Sequence, residues 1–235
     1  MNYIDIIIIC IVFYFALRGF YDGFLVSLLK NASFFISWLL SILISPILSK
    51  FLFNNTSFSN QLLYYTEGAE LINNVESSKL LVSNISSNQI NEIMLNATVP
   101  APIDNLIQKN IASEAFSPSF STVGEYFNKT IVNFSINLIS FLLIIALMYI
   151  VLNILIKMVD TTSPLPVASK FDKSLGSVFG MLLGVFFIYF IFTLLPLVNV
   201  VFSNITLPIS SDFESSKLVQ FFSSSNFLLA MIKGT

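Results

Sequence analysis

The chain has 235 residues, of which 55% are hydrophobic and 10% charged, with a formal net charge of −2 and a mean hydropathy of +0.84. Soluble globular domains carry roughly 25% charge, so water is not the main solvent here, and no cluster of Lys and Arg is present to neutralise nucleic-acid phosphates. With no His and a single Cys, Cys10, an internal disulfide is impossible and the usual metal ligands are missing, so neither a metal nor another cofactor is expected.

Long apolar runs rich in Phe have to satisfy their backbone polar groups within the segment, because hydrocarbon offers no hydrogen-bond partner. The expected fold is therefore an all-α integral membrane protein with about four transmembrane helices in two hairpins. The first hairpin takes residues 1–53. Its first span, about Tyr3 to Leu17, is short against the roughly 20 residues that cross a bilayer core, which makes it the doubtful one. Asp5 precedes the apolar run and Arg18 ends it, with no small-residue cleavage site, so the segment reads as a retained span and not a signal peptide. A polar hinge, Arg18-Gly19-Phe20-Tyr21-Asp22-Gly23-Phe24, leads to a second span with its core at Ala32 to Leu48.

Residues 54–130 form a hydrophilic segment, rich in Ser and Asn, that reads as helical or partly disordered. Ile103, Leu106, Ile107 and Ile111 repeat with helical period, and Leu62, Tyr65, Ile72 and Val75 do so less clearly, as expected of amphipathic helices on the membrane surface or on the bundle. The second hairpin takes residues 131–202. It has a third span from Ile131 to Ile156, a turn from Lys157 to Ser174 broken by Pro164 and Pro166, and a fourth span from Leu175 to Val201. The Ser-rich tail, 203–235, holds two short apolar pieces, Leu218 to Phe222 and Phe227 to Ile232, neither long enough to cross.

Lys and Arg in short loops set orientation. Arg18 and Lys30 in the first hairpin, and Lys157, Lys170 and Lys173 in the second, point both loops to the cytoplasm. The middle segment, with seven acidic residues against three lysines between Phe51 and Lys129, then faces outward with both termini.

Three polar or small-residue patterns stand out. Ser33, Ser37, Ser41 and Ser45 recur every four residues in the second span, as do Gly176, Gly180 and Gly184 in the fourth, and this spacing lets helix backbones approach closely in lipid. Asn133, Asn137 and Ser140 form a stripe on the third span, read first as interhelical hydrogen bonding and second as a polar path. Asp5, Asp22, Asp160 and Asp172 all lie at span ends, and no catalytic pair is evident, so no catalytic residue is assigned and an enzyme is not expected.

The short first span opening with Asp5, the Arg18-Gly19 hinge, and Leu165-Pro166 leading into Phe171-Asp172-Lys173-Ser174-Leu175-Gly176 and Gly180 together resemble the colicin V production (CvpA-like) family of bacterial inner-membrane proteins. The matching stretches are Asp5 to Gly23 and Pro166 to Gly184, with a weaker third in Phe213-Glu214-Ser215-Ser216-Lys217-Leu218. The family's hinge usually carries a second basic residue before its second glycine, where this chain has Asp22.

The resemblance implies a multi-pass protein of the bacterial cytoplasmic membrane that supports toxin peptide production or export, or envelope maintenance. Arg18 is then expected to contact headgroups, Gly19 and Gly23 to allow the hinge to turn, and Asp172 to cap the fourth helix. Expected partners are the lipid bilayer and other membrane proteins or further copies of the chain. The alternative function is a small channel or transporter subunit acting as an oligomer.

Overall fold

The computed structural model describes residues 2–116, 119–162, 171–201, 215–229 and 232. Pro164, Leu165, Pro166, Lys170, Phe213 and Glu214 lie outside the described residues. All regular elements among the described residues are helical, apart from isolated antiparallel bridges at Ile72 with Ala97 and Leu81 with Thr122. Three helices are long and apolar enough to cross a membrane: Tyr3–Asn54, Val123–Val159 and Asp172–Val201.

The expected first hairpin is two helical arms along α1 (Tyr3–Asn54), which meet at a kink at Gly23, whose φ of 77° and ψ of 174° are far from helical. Helical backbone runs through the rest of the hinge, so the first arm, 3–22, extends five residues past the expected end at Leu17. It reaches about 30 Å, which removes the shortfall. The bend is sharp: Ser27 Oγ donates to the Gly19 carbonyl at 3.4 Å across eight residues, which a straight helix would hold about 12 Å apart. Only a glycine adopts this backbone without strain.

The chain divides into two compact units. The first contains the described parts of Met1–Ser45, Phe141–Thr193 and Leu207–Met231. In it lie the first arm of α1, most of the second arm, the later part of α6 (Val123–Thr162), α7 (Asp172–Phe192) and α9 (Lys217–Ser224). Aromatic rings interlock these helices: Phe34 stacks on Phe186 with centroids 5.2 Å apart, and Trp38 meets Phe227 edge-on at 5.5 Å. Of the two short apolar pieces of the tail, the first forms the amphipathic α9, which buries Val219 and Phe222, and the second buries Leu228.

The second unit contains Pro46–Ser140 and the described parts of Leu194–Thr206 and Ile232–Thr235. Here the hydrophilic segment is ordered as α2 (Thr56–Thr66), α3 (Val75–Ser78), α4 (Ser87–Asn96) and α5 (Ile103–Ala112), with two short 3-10 turns, before α6 begins at Val123. Ile103, Ile107 and Ile111, one face of α5, are buried together with Val123, Tyr126, Phe127 and Ile131 from the start of α6. Asn110 Nδ2 donates to Thr130 Oγ1 at 2.9 Å, so the third long helix begins as part of this small core, eight residues before the expected span. Of the less clear apolar series, Ile72 is buried, while Tyr65 and Val75 are exposed. Glu67 takes a left-handed backbone, φ 34° and ψ 50°, at the end of α2. The expected fourth span is likewise interrupted, with α7 ending at Phe192 and α8 (Leu195–Val201) following after a two-residue turn.

Candidate functional site

The glycines of α7 meet the first arm of α1 and not the serine stripe of the second. A Cβ on Gly19 would fall against the Gly176 carbonyl and 2.8 Å from the Gly180 Cα. One on Gly180 would strike the Phe15 carbonyl and lie 3.0 Å from the Gly19 Cα, and one on Gly184 would lie 3.0 Å from the Phe15 Cβ. Two helices with no side chain at the crossing pack backbone to backbone, which replaces the hydrophobic drive that lipid cannot supply. Gly19, expected to allow a turn, is itself helical and serves this close approach. The turn belongs to Gly23 alone, and Asp172 Oδ2 lies where a Gly23 side chain would be.

Phe171 occupies the N-cap position of α7, and Asp172 is the first helical residue, one place inside the expected cap. Its carboxylate still faces the positive end of the helix dipole. Ser33, Ser37 and Ser41 are buried and Ser45 half-buried. Their hydroxyls turn back onto their own helix: Ser33 donates to the Leu29 carbonyl at 2.9 Å, Ser37 to Ser33 at 2.6 Å and Ser41 to Trp38 at 2.7 Å. A satisfied hydroxyl of this kind acts as a small residue. On α6, Asn137 accepts a hydrogen bond from Ser49 Oγ, whereas Asn133 Oδ1 and Ser140 Oγ are buried without a partner among the described residues.

Two arrangements were not foreseen. Asp5, expected at a solvated span end, is buried at 4% exposure. Its Oδ1 accepts from Ser216 Oγ and from the Leu218 amide at 3.2 Å, and its Oδ2 accepts from the Asn2 amide at 3.0 Å. Ser216 Oγ in turn accepts from the Val219 amide at 3.2 Å, which caps α9. A carboxylate ahead of the first apolar run was the available signal, but its tail partners, Ser216 and Leu218, lie more than 200 positions away.

The second is a cleft of about 740 Å3 within the first unit, lined by residues of both arms of α1 and of α6 and α7. Among the described residues, its charged lining residues are Arg18, Asp22, Lys30 and Lys157, and Tyr149 and Asn153 add polar groups. The bend at Gly23 brings Lys30 onto the Asp22 carboxylate, and Arg18 Nε stands 4.0 Å from the same oxygen. Lys30 is only 18% exposed and needs that partner, while Arg18 is 58% exposed and keeps most of its guanidinium open. Lys173 lies outside this group, over the Phe20 ring at 5.6 Å.

The model of the colicin V production protein family matches residues 4–97 and 111–226 of this chain. The chain belongs to that family. No curated protein and no solved structure matches it. The helices long enough to cross, together with the family, make it a multi-pass membrane protein. In this member of the colicin V production family, the segments that carried the resemblance meet inside one unit. The Asp5 stretch holds Ser216 and Leu218, and the Gly19–Gly23 stretch lies against Gly176 and Gly180. Asp22, the departure from the family's usual hinge, is the carboxylate that holds Lys30.

Proposed function

We propose that this chain is an accessory protein of the bacterial inner membrane that supports production or export of a peptide toxin or maintenance of the envelope. It acts by binding other membrane proteins or further copies of itself, and not by catalysis. The observation that carries this reading is the family match across nearly the whole chain, both apolar regions and the segment between them.

Exposed apolar rows support it. Phe13, Tyr14 and Leu17 on α1, and Leu143, Leu147, Ile150 and Ile154 on α6, offer lipid-facing or partner-facing surface. In this reading both arms of α1 cross, giving four crossings, and the second unit's helices α2 to α5 face outward.

The test is deletion of the gene followed by complementation with the full chain and with Gly180→Leu. Toxin secretion and survival in detergent are the readouts, with crosslinking in the native membrane to capture partners. Rescue by the full chain and failure of Gly180→Leu is the expected result; a deletion that changes neither readout overturns the proposal.

Asn133 Oδ1 and Ser140 Oγ, buried without a partner among the described residues, favour a second reading, a channel or transporter subunit. Reproducible solute or ion flux in liposomes holding the purified chain would establish it and displace the accessory role.

A further inference from the structure

We infer that α2 lies flat in the headgroup layer of the bilayer, with its exposed face of Leu63, Tyr64 and Tyr65 set among lipid headgroups and the upper acyl carbons. The level of its two ends carries this. In the second unit the last turns of α1 run antiparallel to α6: Ser49 Oγ donates to Asn137, and Lys129 Nζ stands 5.8 Å from the centre of the Phe53 ring. One residue, Asn55, then separates α1 from α2 and caps it by accepting from the Phe58 amide. Past the far end of α2, the Ala69 amide donates to Asn128 Oδ1 at 2.8 Å, and a Cβ on Gly68 would fall against Ile131 Cδ1. The chain thus enters and leaves α2 beside the same turn of α6, Asn128 to Ile131, although α2 is about 16 Å long. A helix that gains no height over that length runs across the span axis and along the membrane plane.

That level is also where the hydrocarbon ends. Ile47 and Phe51, exposed and a turn apart, carry the apolar outer side of α1 to within a turn of Asn54, and Lys50 beside them is exposed. The headgroup layer adds roughly 5–7 Å to each side of the core, which is the rise from Phe51 to Asn55. On α2, Phe58 and Leu62 are half-buried and Thr66 is buried, and the helix rests against α8. Tyr64 and Tyr65, by contrast, are 71% and 65% exposed, with Leu63 beside them. Tyrosine at this depth buries its ring and keeps its hydroxyl wet, which is why aromatic residues gather at membrane interfaces. No charged residue lies between Thr56 and Thr66, and Glu67 and Glu70 follow at once, so the contact is apolar and aromatic and needs no anionic lipid. The assignment rests on the second arm of α1 crossing the membrane and holds for either orientation of the chain.

Nitroxide accessibility in the full chain, reconstituted in phosphatidylcholine vesicles, tests it. Cys10→Ala removes the only cysteine, and Tyr64→Cys and Tyr65→Cys then carry the label one at a time. Ile47→Cys supplies the hydrocarbon reference and Lys79→Cys the aqueous one, since the neighbouring Ser78 carbonyl lies by Gly124, about 10 Å farther out along α6 than Ile131. All four side chains are exposed, so each variant should melt with the parent chain. Labels at positions 64 and 65 should meet a water-soluble nickel chelate roughly threefold less often than the label at position 79, and oxygen less often than the label at position 47. Adding phosphatidylglycerol should change neither. Nickel collisions at positions 64 and 65 equal to those at position 79 would overturn the assignment and leave this face to a protein partner. Shielding that needs phosphatidylglycerol would overturn it as well, because the contact would then rest on charge.

Discussion

Gly23 holds a backbone angle that a side chain strains, and its neighbour Gly19 admits the α7 backbone where a side chain would stand. Overpacking a tight contact costs about 1–3 kcal/mol. Gly180→Leu sets a four-carbon side chain against the Phe15 carbonyl, so the full chain should lose at least that much stability, read as a lower melting temperature in detergent. Gly180→Ala should lose less. At the far side of the chain's chemistry, Glu70 repels Glu67 and raises the Glu67 carboxyl above the ordinary glutamate value. The folded state thus favours the neutral acid: this contribution is full at pH below the ordinary glutamate value and is lost as pH rises through the raised one. Glu67→Gln should raise the melting temperature at pH 7 and leave it unchanged at pH 3. The glycine spacing was readable in the sequence. What it met was not, because a row of small residues states how close a neighbour comes and not which neighbour arrives.

Helix α9 has eight residues, too few to hold its shape in water by propensity alone. It is held by two buried side chains and by the Asp5 carboxylate. Asp5→Ala leaves the Leu218 amide and the Ser216 hydroxyl without their acceptor, a loss of about 1–3 kcal/mol for buried groups. Hydrogen exchange across residues 215–229 should quicken while α5 stays protected, and unchanged exchange in the tail would refute the tether. The α5 periodicity was legible because Ile103, Ile107 and Ile111 face a core built within the same stretch of chain. The tail was not, since length alone decides whether an apolar piece crosses and says nothing of what it docks on. The bend in α1 was legible as a hinge, but the return of Ser27 and Lys30 onto Gly19 and Asp22 depends on the angles of a single residue.

For the whole molecule, composition alone was enough to point to a membrane, since a chain with 10% charge has few other solvents. The number of crossings was less accessible because it turns on Gly23, where two helical arms meet without a loop between them. Protease protection should place α2 to α5 outside, with cleavage after Lys79 and Lys109 in cells whose outer face is opened; cleavage from the cytoplasmic side alone would reverse the topology. The Asp5 tether also constrains biogenesis. Asp5 leaves the ribosome first, and Ser216 follows 211 residues later. At about 5–20 residues per second that is a wait of roughly 10–40 s. Throughout it the carboxylate is without its Ser216 and Leu218 donors, so final seating of the first arm waits until those residues have been made, and a chain truncated before Ser216 inserts with its opening segment unanchored.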